Sequence, residues 1–219
     1  MASLDLNTMR TLNAAVLSDV LDSLNLTQQA MKPFVRPLDD GLQLIGRART
    51  GLYMPVYEHR AGENPYEVEI ALVDDLKPHD VVVLACHGPT DRIAPWGELL
   101  STACVARGAA GCVTDGLVRD VKQIREMRFP VFAGGIGPLD TKGRARMVER
   151  DVPVECAGVA VRPGDIVFGD VDGIVVIPVE HEQQVIARAI EKVTGENLSR
   201  DALQRGELLG DVFRRLGIL

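Results

Sequence analysis

Apolar residues change their period along this chain, and each change predicts a change of element. In NAAVLSDVLDSLNL, Leu17, Val20, Leu21 and Leu24 recur at three and four residues, which predicts an amphipathic helix. Thr27 to Pro37 is a connector punctuated by Pro33 and Pro37. QLIGRARTGLYMPV alternates and is rich in β-formers, so it predicts a strand bent at Gly46. Glu58 to Asn64 is a loop, and PYEVEIALVDDL predicts a helix with Pro65 in its first turn and Asn64 as its cap.

The middle of the chain is the most regular. VVVLAC (81–86) is a short, continuous apolar run, the mark of a strand buried on both faces. After the loop HGPTDRIAP, WGELLSTACVARG predicts a helix ended by Gly108. GCVTDG is a second buried strand, LVRDVKQIREM a loop running into a short helix, and FPVFAGG a third strand. Strand and helix alternate here as in a parallel sheet with right-handed crossovers. Beyond Gly135 the pattern turns to short β runs: VPVECAGVAV joined at Ala157-Gly158, and DIVFGDVDGIVVIP turning at Asp172-Gly173. Residues 179–207 carry a long, charged helical pattern broken at Gly195, and LLGDVFRRLG predicts a last short helix. No linker divides the pattern, so the expectation is one α/β domain over 1–219 with a β-rich flank and a helical tail from about 179.

Composition narrows the function. The 219 residues are 46% hydrophobic and 25% charged, as in an ordinary globular protein. Thirty-one acidic against 24 basic side chains give a net charge of −7. That balance argues against a nucleic-acid partner, which needs a basic face to displace phosphate counterions. No apolar run is long enough to span a membrane and the start is unlike a signal peptide, so no membrane partner and a cytoplasmic location are expected. Cys86, Cys104, Cys112 and Cys156 form no C-x-x-C pair; three of them sit in apolar stretches and read as small buried hydrophobes. The four histidines have no ligand spacing. GGIGPLDTKG is glycine-rich, but Pro138 stands where a dinucleotide-binding helix would open, and DVDG lacks the later ligands of a calcium loop.

Chemistry concentrates in GELLSTACVARGAAGCVTDGLVRDVKQI (97–124). Gly97 and Glu98 open a helix after a buried strand, and Arg119-Asp120 follows the next strand. Ligands of open α/β sheets sit beyond the carboxyl ends of the strands, so the two strand-exit loops can share one crevice. The helix start offers free N–H groups to a carboxylate or an enolate oxygen. Arg119 can grip a carboxylate bidentately, and Asp120 can ligate a hard divalent cation. Adjacent Arg-Asp pairs are common, and most are solvated charges or local ion pairs.

WGELLSTACVARGAAGCVTDGLVRDVKQI closely resembles the central block of the RraA-like family, which includes ribonuclease E regulators and metal-dependent aldolases. Its signature, an acid or glycine, twenty residues and then Arg-Asp, is met by Glu98, residues 99–118 and Arg119-Asp120. The likeness extends through LIGRART, FPVFAGG and VRPGDIVFGDVDGIVVIP, over roughly residues 15–210. It implies a swivelling β/β/α-type domain in ring-shaped homotrimers or homohexamers. It also implies a lyase cleaving 4-hydroxy-4-methyl-2-oxoglutarate or 4-carboxy-4-hydroxy-2-oxoadipate to pyruvate and a second oxoacid, with oxaloacetate decarboxylation through the same enolate. By the same resemblance Asp120 holds Mg2+ or Mn2+, Arg119 contacts substrate, and Gly97 with the N–H groups of Leu99 and Leu100 binds the pyruvate moiety. Glu196, from a neighbouring subunit's tail, reaches the metal through water; the other reading of Glu196 is a helical pair with Arg200. The aldolases usually carry aspartate where Glu98 stands, and often an acid where Gln123 stands. The alternative function is a non-catalytic regulator that binds ribonuclease E, and a related lyase acting on a sugar acid or aromatic catabolite stays open. Nothing supports a nucleoside methyl donor, since the glycine-rich first βα turn is missing.

Overall fold

A computed structural model describes residues 5–59 and 61–218; Arg60 of the first loop, and the termini of the expected 1–219 domain, lie outside the described residues. The chain opens with α1 (Leu6–Met9), α2 (Ala14–Ser23), β1 (Arg36–Pro37), β2 (Leu44–Pro55) and α3 (Glu67–Asp74). The βαβ core follows as β3 (Asp80–Ala85), α4 (Glu98–Arg107), β4 (Gly111–Val118), α5 (Val121–Met127) and β5 (Val131–Ile136). Then come β6 (Ala145–Arg150), β7 (Val154–Cys156), β8 (Val159–Val161), β9 (Ile166–Asp170) and β10 (Gly173–Ile177). The tail is α6 (Glu182–Gln204) and α7 (Leu209–Leu216).

One mixed sheet runs β1-β5-β4-β3-β2-β9-β10, with β6 also paired to β2, and β7-β8 form a separate hairpin. The segment β2-β3-β4-β5 is parallel, whereas β1, β6, β9 and β10 join antiparallel. Every residue of β3 is buried. Val82 and Leu84 face the core under α3, α4 and α5, while Val81, Val83 and Ala85 face the core shared with the β7-β8 hairpin. A strand clothed on both faces has no polar side, which is why its sequence is one apolar run. A third core joins α2 and α6 to the outer faces of β9 and β10 through Leu17, Val20, Leu21, Phe168, Ile177 and Val185. The β/β/α arrangement and the helical tail expected from the sequence are both present.

Local expectations were corrected in four places. Gly46 does not bend β2, which runs unbroken through it; a Cβ there would stand 2.1 Å from the carbonyl oxygen of His79, so the glycine permits a close backbone approach. Asn64 does not cap α3: its side chain accepts from the Tyr66 N–H at 3.0 Å in a local turn, and the helix begins at Glu67. The β9-β10 turn comprises Val171 and Asp172, because Gly173 already pairs with Asp170. Finally, α6 passes through Gly195 without a break, and a Cβ at that position would meet Ile218 at 2.1 Å, so the missing side chain seats the chain end against the helix. Three elements carried no sequence signal: the four-residue α1, the two-residue β1 at the end of the expected connector, and the edge strand β6.

All four cysteines are free and buried. Burial pushes the thiols of Cys86, Cys112 and Cys156 far up and that of Cys104 up to about 12, so none forms a thiolate near neutrality. No helix among the described residues is long and apolar enough to cross a membrane. Because the contact at Gly46 is with rigid backbone, Gly46→Ala should destabilise the fold by about 1–3 kcal/mol, the scale of overpacking a core. Urea unfolding measures this as a lower midpoint at unchanged slope.

Candidate active site

The site is assembled by a short backbone seam. The segment leaving β3 comes back alongside the end of β4: Leu117 N–H donates to Ile93 O at 3.1 Å and Arg119 N–H to Trp96 O at 3.0 Å. Trp96 and Val118 form a parallel bridge. Trp96 is buried, stacked with Phe129 at 6.5 Å between centroids, and its indole N–H donates to Ser101 Oγ at 2.9 Å. Ser101 Oγ in turn donates to Gly97 O at 3.0 Å, which fixes the first turn of α4 to the seam.

Gly97 occupies the N-cap of α4, and the two strand-exit loops meet there. A Cβ on Gly97 would lie 2.7 Å from Asp120 Oδ2 and 3.2 Å from Arg119 Cγ. Asp120 holds a left-handed conformation, φ 57°, which aspartate tolerates better than most residues. The turn sends its side chain back to α4 rather than onto α5, and Oδ2 accepts from the Glu98 N–H at 3.1 Å. A carboxylate on the positive end of a helix is favoured by the exposed N–H groups there. The N–H groups of Leu99 and Leu100, in the first turn, have no carbonyl four residues back to bond, and both residues line the same cleft.

This cleft, of about 350 Å³, is bordered by Tyr66, Glu69 and Ile70 of the α3 wall, by Trp96 to Leu100, and by Arg119, Asp120 and Asp140. Arg119 lies between two carboxylates, with Nε 3.8 Å from Asp120 Oδ2 and a terminal nitrogen 3.5 Å from Asp140 Oδ1. Tyr66 donates its hydroxyl to Asp140 Oδ2 at 2.5 Å. Burial works against ionising Asp140, but the hydrogen bonds from Tyr66 and the Thr141 N–H, together with Arg119, hold its carboxyl below the usual range. Burial, and the Asp140 carboxylate that accepts its proton, push Tyr66 up to about 12. Glu69 is nearly buried and takes the hydroxyl of Tyr53 on Oε2. Its carboxyl is raised to about 7, chiefly by burial and further by Asp140, against the opposing effects of Tyr53 and Arg119.

The structure therefore brings Gly97, Glu98, Leu99, Leu100, Arg119 and Asp120 to one cleft, where the two strand-exit loops meet. Glu98 borders it with Oε1 accepting from Thr102 Oγ1 at 2.9 Å. Glu196 is not in this cleft: it lies on α6, 3.7 Å from Lys192, and the pair with Arg200 does not form because that guanidinium donates to Asn197. Sequence reasoning missed Tyr66, Glu69 and Asp140. Tyr66 and Glu69 share one face of a helix start at a spacing of three, but only the tertiary fold turns that face toward Arg119. Among the described residues no cluster of three or more histidine, cysteine or acidic side chains could enclose a metal. What the cleft can offer a hard cation is the Asp120 carboxylate, 44% exposed, with open volume for oxygen ligands from substrate and water. That donor set fits an ion of the Mg2+ type, which binds through one or two carboxylates and keeps several other oxygens.

The model of the RraA-like family, described as Aldolase/RraA, matches residues 14–176. DlpA of Legionella pneumophila is 32% identical over 197 residues, 90% of this chain but 31% of that protein, so the chain spans about a third of DlpA. A protein of Halalkalibacterium halodurans named "Putative 4-hydroxy-4-methyl-2-oxoglutarate aldolase" is 31% identical over 195 residues, 89% of this chain and 86% of that one. Among solved structures, Streptomyces coelicolor RraAS2, described as an unusual member of the RNase ES inhibitor RraA protein family, aligns with a TM-score of 0.79 at 29% identity. The alignment covers 91% of this chain and 98% of that one. Sequence, fold and the seam that joins Gly97 to Arg119-Asp120 agree: the chain belongs to the RraA-like family.

Proposed function

We propose that the cleft is the active site of a divalent-metal-dependent lyase. It would cleave a 4-hydroxy-2-oxo diacid, of the 4-hydroxy-4-methyl-2-oxoglutarate or 4-carboxy-4-hydroxy-2-oxoadipate type, to pyruvate and a second oxoacid, and decarboxylate oxaloacetate as a side reaction. The observation that carries this reading is the meeting of Arg119 and Asp120 with the N-terminus of α4 across a glycine that has no room for a Cβ. The relative from Halalkalibacterium halodurans supports it by its name. The first-turn N–H groups of Leu99 and Leu100 would hold the substrate carboxylate and 2-oxo oxygen, where negative charge grows as the carbon–carbon bond breaks. Arg119 would grip the same end with its planar fork, aligned by Asp140 and Tyr66. Asp120 would hold Mg2+ or Mn2+, which when bound supplies Lewis-acid polarisation of the 2-oxo group. Glu98, which lines the cleft, would order water beside that end.

The proposed assembly is a homo-oligomer, trimer or hexamer, in which the Glu196 of an adjoining tail reaches the cation through water. Exposed Leu198, Leu208, Leu209 and Phe213 on the tail favour such a contact over a bare surface. A second reading, binding and inhibition of a ribonuclease of the E type, is favoured by the likeness to RraAS2. Purified protein tested with Mg2+ or Mn2+ against a panel of 4-hydroxy-2-oxo diacids and oxaloacetate should release pyruvate. Absence of pyruvate from every one of them, with co-purification of a ribonuclease, would select the second reading.

Three variants sharpen the test. Asp120→Ala should abolish turnover, with little rescue by added Mg2+. Arg119→Lys keeps the charge but loses the fork, and should lower kcat/KM by an amount equivalent to about 2–4 kcal/mol, the scale of one lost oxyanion donor. Gly97→Ala should displace the Asp120 carboxylate and weaken both metal and oxalate binding, read by calorimetry. Light scattering at micromolar concentration should report a particle larger than the 23.8 kDa monomer; a monomer would remove Glu196 from the site.

A further inference from the structure

Among the described residues four carboxyl groups line the cleft, and three of them are committed by their surroundings. Asp120 receives the Glu98 N–H at the α4 terminus. Glu98 receives Thr102 Oγ1 at the mouth. Asp140 is clamped by Tyr66 and Arg119 and kept ionised. The fourth, Glu69, differs in kind. It is 8% exposed, lines the inner wall of the cleft, and is held from behind by the hydroxyl of fully buried Tyr53 on β2. Its second oxygen, Oε1, receives no hydrogen bond from the described residues. The ionisable groups around it are Tyr53, Tyr66, Asp140, Arg119 and the buried thiols of Cys86 and Cys112. Arg119 is the one cation of this set, and it is engaged by Asp140.

On the lyase reading above, we propose that Glu69 is the general acid–base of the cleft, taking the proton of the substrate's 4-hydroxyl and returning it to C3. As the O–H bond breaks, its electron pair becomes the second bond of the new carbonyl at C4. The C3–C4 pair moves into the C2–C3 bond and the 2-oxo pair onto oxygen, giving the pyruvate enolate and the released oxoacid. The proton now on Glu69 then forms the new C3–H bond, so Glu69 ends charged, as it began, and no oxidant or further reactant is consumed. Burial that brings a carboxyl to about 7 lets it both accept and donate at neutral pH. Tyr53 fixes its rotamer and leaves one oxygen for the substrate.

The test compares wild type, Glu69→Gln and Tyr53→Phe with a substrate that releases pyruvate, and follows exchange of the pyruvate methyl hydrogens in D2O with Mg2+. Wild type should show an inflection in kcat/KM near neutrality. Glu69→Gln should lose on the order of 100-fold or more in both turnover and exchange, and lose the inflection, while still binding oxalate. Tyr53→Phe removes a donor that favours the ionised form, so its inflection should move to higher pH. A fold-only measurement accompanies these. A carboxyl whose folded value stands near 7 against an ordinary 4.5 loses stability as pH rises through that interval, because the native state holds the proton longer. Glu69→Gln should therefore melt higher than wild type above pH ~8 and not below pH ~5. Wild-type turnover and inflection retained in Glu69→Gln would overturn the role of Glu69 alone. A wild type that neither releases pyruvate nor exchanges its methyl hydrogens would overturn the lyase reading, and Glu69 as its base with it.

Discussion

The hydrogen bond from Arg119 N–H to Trp96 O is small, yet the site depends on it. It extends the parallel sheet by one rung beyond the strands proper, between a returning loop and the end of β4. A rung of that kind fixes register, and register decides which side chain faces which. It is this rung that sets Gly97 against Arg119 and Asp120. The remaining contacts are consequences: Asp120 can cap α4 only because it arrives at this height, and Trp96 can brace Ser101 only because its backbone is held. The energy of the bond is ordinary, about 1 kcal/mol net. Its value lies in geometry.

Electrostatics explain why such a crowded cleft is stable. Among the described residues Asp120, Asp140, Glu98 and Glu69 share it with one arginine, Arg119. Left in water-like surroundings, four charged carboxylates would repel. Instead each has its own remedy: the Glu98 N–H for Asp120, Tyr66 and Arg119 for Asp140, the Thr102 hydroxyl for Glu98, and for Glu69 a burial that raises its carboxyl to about 7. On the lyase proposed above, a cation held by Asp120 would offset these charges when an anionic 2-oxo acid enters.

Much of this was legible before folding. The apolar run 81–86, the glycine at 108 and the β-αβ rhythm located the parallel core, because a doubly buried strand and a helix with a left-handed stop leave local signatures. The Gly97 to Asp120 spacing located half of the site for the same reason: both ends are strand exits. The α3 wall was not legible. Tyr66 and Glu69 read as an ordinary helix start, and what gives them meaning is the bond of Glu69 to Tyr53, 16 residues away, and of Tyr66 to Asp140, 74 residues away. Gly46 and Gly195 were misread for one reason. Glycine in a sequence announces freedom, whereas here each marks a place where another part of the chain comes too close for a side chain.

Asp115 carries a last implication. Its carboxylate is buried and accepts the N–H groups of Cys86 at 2.6 Å, Gly88 at 2.9 Å and Ala157 at 3.5 Å. One side chain in mid-strand thus moors both the root of the β3–α4 connection and the turn of the β7-β8 hairpin. The connection can therefore vary along its outer span while its anchorage stays put. Divergence of ligand range within such a scaffold would be cheapest at the exposed side chains of Ile70 and Leu99, which border the cleft outside that mooring, leaving the backbone of the proposed anion seat intact.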